Sequence, residues 1–215
     1  MLYFCSLFNL FLMKRKLLSI AAALLFVAGA KAQTSYGLKA GVNFAKFKVS
    51  QGNVNYTSDA NTSFYITGFA DMPVAPNFSI QPGVSLQGKG GKVSAGEFDL
   101  NEDAKDNLMY IEVPVNLVYY FPTGDAGKVF LGAGPYAGFG VHAKASKGNY
   151  SESGSFGDAG IKTFDAGLNL LGGYKLTNGF LINVGYGLGL TNMYKDIEGV
   201  TSKNRVFSVG VGYQF

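Results

Sequence analysis

The sequence predicts an all-β protein, an eight-stranded antiparallel up-and-down transmembrane β-barrel preceded by a cleaved signal peptide. Three observations predict it. Apolar residues alternate with polar or glycine residues through 33–215, short connections alternate with long ones, and the chain ends on an alternating segment closed by an aromatic. Alternation with period two is the mark of a strand whose two faces meet different surroundings. Short turns at one end and long loops at the other are the layout of an outer-membrane barrel.

The elements follow in order. The first strand sets Tyr36, Leu38, Ala40, Val42 and Phe44 against Gly37, Lys39, Gly41 and Asn43. The second, 63–72, carries Phe64, Tyr65, Ile66 and Phe69 on both faces, which leaves its orientation open. The third sets Phe78, Ile80, Val84 and Leu86 against Ser79, Gln81 and Ser85, and the fourth sets Ile111, Val113, Val115, Leu117 and Tyr119 against Glu112 and Asn116. In the fifth, Val129, Leu131, Ala133, Phe139 and Val141 oppose a glycine-rich face that includes His142. The sixth opposes Phe164, Leu168, Leu170 and Tyr174 to Asp165, Gly167 and Asn169; the seventh opposes Phe180, Ile182, Val184 and Tyr186 to Asn183, Gly185 and Gly187. The eighth runs Phe207, Val209, Val211, Tyr213 and Phe215 against Ser208, Gly210, Gly212 and Gln214. Short links are expected at 73–77, 122–127 and 177–179, and long loops at 46–62, 88–108, 144–162 and 192–203. An even strand count places both termini on the short-turn, periplasmic side.

Composition narrows the classes. With 47% hydrophobic and 15% charged residues, 14% aromatics and 30 glycines, the chain is the opposite of a disordered one. The formal charge of +4 invites a nucleic-acid reading, but its location removes it. Met13-Lys14-Arg15-Lys16, the apolar run 17–29 and Ala30-Lys31-Ala32 have the three parts of a secretory signal, with cleavage between Ala32 and Gln33. Residues 1–12 are apolar ahead of the basic cluster, as expected if Met13 is the true start. One long anchor helix is disfavoured, since each of three central cations costs about 2.5–3.5 kcal/mol on insertion. Removal of 1–32 takes away Lys14, Arg15, Lys16 and Lys31 and no acid, leaving 14 basic against 14 acidic residues. The single cysteine, Cys5, also leaves, so 33–215 suits an oxidising compartment.

Alternation alone also fits a soluble carrier barrel that points its apolar face inward. Residue size decides against it. An eight-stranded interior barely holds side chains, so the glycine-rich face fits inside and the bulky one fits lipid. Outward aromatics gather at the short-turn end, where Tyr36, Phe78, Tyr119, Phe121, Tyr174, Phe180, Tyr213 and Phe215 form an interfacial girdle. Inward Lys39, Glu112, His142, Asp165 and Lys175 read as a polar plug. A closed barrel also pairs every backbone group in hydrocarbon.

Several ordered pieces carry a resemblance: Gly37-Leu38-Lys39-Ala40-Gly41-Val42-Asn43, Leu86 to Gly90 after Gln81-Pro82, Tyr110-Ile111-Glu112-Val113-Pro114, Gly132-Ala133-Gly134-Pro135-Tyr136, Asp165-Ala166-Gly167-Leu168, and Tyr186 to Asn192. In their order and spacing, over essentially all of 33–215, they resemble the PorT-like outer-membrane β-barrel family of Bacteroidota. The resemblance implies an integral barrel of the Gram-negative outer membrane, whose named relative serves a secretion system. The acid that often follows Gln-Pro and the Arg that often precedes the strand-seven Tyr are Gly83 and Gly185 here, so an internal ion pair at those two places does not carry over.

Little in the sequence speaks for catalysis. His142 is the sole histidine, with Ser146, Ser151 and Asp158 in the following segment, and nothing in their spacing sets a geometry. One histidine and no cysteine leave carboxylates alone for a metal. The acidic run Glu97 to Asp103 matches no calcium loop and reads as solvated. No cofactor and no nucleic acid are expected. Expected partners are outer-membrane lipids, the Sec export and barrel-insertion machinery during biogenesis, and envelope or secretion-complex proteins around a monomer. The rival readings are an accessory subunit of a secretion or envelope-assembly system and a barrel-embedded enzyme acting on lipid or peptide.

Overall fold

The computed structural model describes residues 34–96, 102–154, 156, 160–194 and 199–215. Ala32, Gln33 and the rest of the expected signal segment lie outside these residues, as do Asp158 and most of the acidic run. Ten strands are present among the described residues: β1 (Ser35–Gln51), β2 (Val54–Thr57), β3 (Asn61–Ala75), β4 (Phe78–Val93), β5 (Ala104–Pro122), β6 (Gly127–Lys147), β7 (Tyr150–Gly154), β8 (Phe164–Leu176), β9 (Phe180–Gly189) and β10 (Val200–Gln214). Eight of them form the wall in the order β1-β3-β4-β5-β6-β8-β9-β10, every pair antiparallel, and β10 pairs back onto β1 from Gly37–Gln214 to Gln51–Val200. The protein is therefore a closed eight-stranded barrel. β2 and β7 are short return strands that fold back on β1 and β6 at the long-loop end.

At the turn end β3 meets β4 through Pro76-Asn77, where Asn77 takes a left-handed conformation, and β8 meets β9 through a turn that needs Gly179 at φ 92°. The loop end departs from expectation. Strands continue well into the segments expected as loops, through Gln51, Val93 and Lys147. Their polar composition reads as loop, yet the alternation persists, because an apolar cluster of Phe47, Leu108, Tyr110, Ala143, Phe156, Ile161 and Met193 gives these extensions a core of their own.

The wall's outer surface is apolar. Leu38, Val42, Ile66, Val84, Val113, Leu131, Leu170, Ile182 and Val211 all remain exposed, an arrangement stable only against hydrocarbon, and the barrel is transmembrane. β3 takes a definite orientation: Tyr65, Thr67, Phe69 and Asp71 point in and are buried, Phe64 and Ile66 point out. A second aromatic row, missed in the sequence, lies toward the loop end, with Phe44 stacked on Phe207 at 6.3 Å and Phe139 edge-on to Phe164 at 5.4 Å. Tyr36 and Phe44 are eight residues apart on β1, about 27 Å along the strand and about 20 Å vertically at a 45° tilt, close to the height of an apolar band. A charge in that band should be costly. Val113→Lys is expected to lower stability by ~2–4 kcal/mol in lipid vesicles, measured by urea unfolding, whereas Lys105→Val beyond the band should change little.

Candidate functional site

The interior is filled, and its filling is the main candidate for a functional constraint. It is layered. Nearest the turns lies an apolar cluster of Phe69, Val118, Tyr120, Phe130 and Leu181; nearest the loops lies the Phe47–Met193 cluster; polar side chains occupy the space between. Bulky aromatics fit because glycines face them. A Cβ on Gly37 would lie 2.4 Å from the Phe69 ring, one on Gly173 2.6 Å from Phe130 and one on Gly167 2.8 Å from Tyr136. The inner face is thus not simply a small-residue face. Glycine on one strand makes room for an aromatic on another.

Lys89 of β4 organises the polar layer. Its Nζ is paired with Glu112 Oε1, and lies 2.6 Å from Asp165 Oδ2 and 3.2 Å from the Tyr136 hydroxyl. The Tyr136 ring sits 4.3 Å from the ammonium and the Tyr110 ring 5.1 Å. Tyr136 also donates to Asp165 Oδ2 at 3.2 Å, and the Thr191 hydroxyl donates to Asp165 Oδ1. Lys89, Glu112 and Asp165 are each at most 3% exposed. One cation between two carboxylates, closed off by aromatic rings, satisfies charges that would be prohibitive alone. Two further networks complete the plug. Asn43 donates to Gln87 at 2.8 Å and Thr67 bonds Ser85 at 2.6 Å; nearer the turns, Gln81 donates to both Asp71 and Tyr120 at 2.9 Å. A cavity of about 90 Å³ remains among Lys39, Tyr65, Glu112, Asn116 and Asn183. It has room for about three waters, which suits the unpartnered Oδ1 atoms of Asn116 and Asn183.

The structure brings together only part of the expected plug. Glu112 and Asp165 meet at Lys89. Lys39 stands apart with its ammonium 4.4 Å from the Phe69 ring, and Lys175 lies at the turn-end mouth, 5.7 Å from the Tyr120 ring. His142 is a correction. It is exposed on the outer side, because a β-bulge pairs Met109 with His142 and Tyr110 with Gly140, leaving Val141 as an extra residue that reverses the alternation. Lys89 was missed because Gly88-Lys89-Gly90-Gly91 reads as loop; the usable signal was parity, since Lys89 continues the inward series Gln81, Ser85, Gln87.

Five of the turn-end aromatics touch one another: Phe78 lies 4.6 Å from Tyr119, Tyr119 4.5 Å from Phe121, and Tyr213 6.4 Å from Phe215. Tyr174 bonds Thr123 through its hydroxyl at 2.9 Å, while Tyr36 and Phe180 stay exposed on β1 and β9. At the other end, beyond the outer aromatic row, burial pushes the Asp106 carboxyl above the usual carboxylate range while the Tyr194 hydroxyl donated to it pulls it back. The Tyr194 phenol is itself pushed up to about 12 by burial and then by the Asp106 charge.

No curated protein matches the chain. Among solved structures, the chain is similar to Ail, the attachment invasion locus protein of Yersinia pestis, at 16% identity over 86% of this chain and 100% of that one, with a TM-score of 0.42. Neisserial surface protein A (NspA) is likewise 16% identical over 86% and 100%, with a TM-score of 0.45. The N-terminal β-barrel domain of Pseudomonas aeruginosa OprF is 12% identical over 85% and 100%, with a TM-score of 0.37. The family described as "Outer membrane protein beta-barrel domain" matches residues 31–195, most of the chain, and the protein belongs to that family.

Proposed function

We propose that this protein is a monomeric, plugged outer-membrane barrel that acts through its long loops, as a structural or interaction protein without catalysis. The observation that carries this reading is the packed interior, in which the Lys89–Glu112–Asp165 layer sits between two apolar clusters. A path for solute would have to break both clusters and strand buried charges. The outward turn of His142 also supports the non-enzymatic reading, since it removes the one histidine from the enclosed interior. We place the termini and short turns in the periplasm, the strand extensions outside the cell, and a cleaved signal ahead of Gln33. The ordered motifs of the wall support a PorT-like member, for which a role in a secretion or envelope-assembly complex is the finer expectation. Reconstitution into planar bilayers tests the sealed lumen: the expected result is no stepwise conductance in 1 M KCl, and a stable ohmic step would overturn it. Stoichiometric envelope proteins copurifying in mild detergent would favour the secretion-linked role.

A further inference from the structure

Outside the barrel, four cations share one small patch of wall. Lys46 of β1 lies opposite Arg205 of β10, and Lys48 lies opposite Lys203, two successive outward positions of a single ladder. Directly opposed side chains start about 5 Å apart and next-but-one positions about 7 Å apart, so the four side chains leave the wall within an area of molecular size. Like charges in directly opposed positions destabilise a sheet. Among the described residues no carboxylate pairs with Lys46, Lys48 or Lys203, since the ion pairs there involve Lys89 and Lys92. Arg205 is held to the wall, donating to Gly189 O at 2.8 Å and Asn204 O at 2.7 Å, and a guanidinium retains further donors. Elsewhere on the rim Lys92 has an acid beside it, Asp103 at 2.7 Å.

Position identifies the ligand. Two residues below Lys46 and Arg205 is the stacked Phe44–Phe207 pair of the outer aromatic row, with ring centroids 6.3 Å apart. The cations therefore occupy the first polar level above hydrocarbon, facing sideways into the headgroup layer, where lysine stems lie along apolar wall and the ammonium reaches upward. We propose that this β1–β10 patch binds the phosphate of a phosphorylated lipid headgroup in the leaflet at the loop end. The patch spans the seam where the last strand closes on the first, so a bound phosphate bridges the two ends of the sheet. The placement of that leaflet outside the cell rests on the orientation given under Proposed function.

The test uses the folded mature barrel in maltoside micelles, titrated with bisphosphorylated lipid A, with dephosphorylated lipid A and with inorganic phosphate. The expected result is saturable binding of the bisphosphorylated lipid, at least tenfold weaker for the dephosphorylated one and weakened by salt. Lys46→Gln/Lys48→Gln/Lys203→Gln should lose at least tenfold, the corresponding triple arginine variant should retain binding, and Lys105→Gln/Lys144→Gln should bind as wild type. Equal binding by the triple glutamine variant, or equal binding of dephosphorylated lipid, overturns the proposal. Displacement of the lipid by inorganic phosphate or a soluble polyanion at equal phosphate concentration also overturns it, pointing to a soluble anion instead. Folding is read from the mobility difference between heated and unheated samples; should the triple variant not fold, the wild-type headgroup comparison and Lys48→Gln alone decide. Orientation is tested separately by labelling Lys48→Cys on intact cells with an impermeant maleimide. Absent labelling with intact headgroup selectivity refutes the orientation alone, whereas labelling without selectivity refutes the site alone.

Discussion

Lys89→Met is expected to cost about 3–5 kcal/mol, because it leaves Glu112 and Asp165 as uncompensated charges within the barrel interior. Methionine nearly matches lysine in length, so little of the loss comes from packing. Urea unfolding of the barrel in phospholipid vesicles, followed by heat-modifiable mobility, measures it as a lower transition midpoint. The chemistry makes a second demand. Once the lysine is gone the acids are the liability, so Lys89→Met/Glu112→Gln/Asp165→Asn should recover most of the stability, as neutral replacements of buried ion pairs usually do. Between the acids, Asp165→Asn should be the more damaging single change, because Asp165 also accepts from Tyr136 and Thr191. A wild-type midpoint for Lys89→Met would show that water reaches the cluster and that the lumen is open.

The second large effect is expected at the closing seam. Gly41 lies directly opposite Gly210, and Tyr65 crosses the pair from β3. A Cβ on Gly41 would lie 2.1 Å from Val209 O and 2.8 Å from Tyr65 Cε1; one on Gly210 would lie 2.3 Å from Ala40 O and from the Tyr65 hydroxyl. Two of those contacts are with backbone, which moves only by parting β1 from β10. Gly41→Val is thus expected to cost about 3 kcal/mol or more, at the upper end of overpacking effects, and to shift the protein toward the unfolded band on unheated gels. Gly68→Ala is the control, since its Cβ meets nothing nearer than Leu38 Cδ2 at 3.8 Å. Equal folded yields for the two variants would mean that the seam tolerates separation.

Much of this was legible in the sequence, for a definite reason. A barrel wall has two surroundings in strict alternation, and period two is a local property that any ten residues display. The outward series of β1, β5, β9 and β10 could therefore be read directly, as could the even strand count and the alternation of short and long connections. β3 defied that reading because it carries aromatics on both faces. Phe64 and Ile66 face lipid while Tyr65 and Phe69 fill the lumen, and local sequence holds no record of which glycines on β1 and β10 make room for them. His142 failed for a related reason: one extra residue at Val141 reverses every later side chain on β6, and a bulge exists only relative to its partner strand.

The sequence by itself determined the strand periodicity, the outward apolar face, the turn-end aromatics and the inward placement of Glu112 and Asp165. The tertiary structure alone decided that Lys89 joins those acids, that an apolar cluster fills the loop end, and that Lys46, Lys48, Lys203 and Arg205 share one patch of wall. The physical reason is separation along the chain. Alternation depends on neighbours two residues apart, whereas Lys89 reaches Asp165 across 76 positions and the basic patch exists only because the last strand returns to the first.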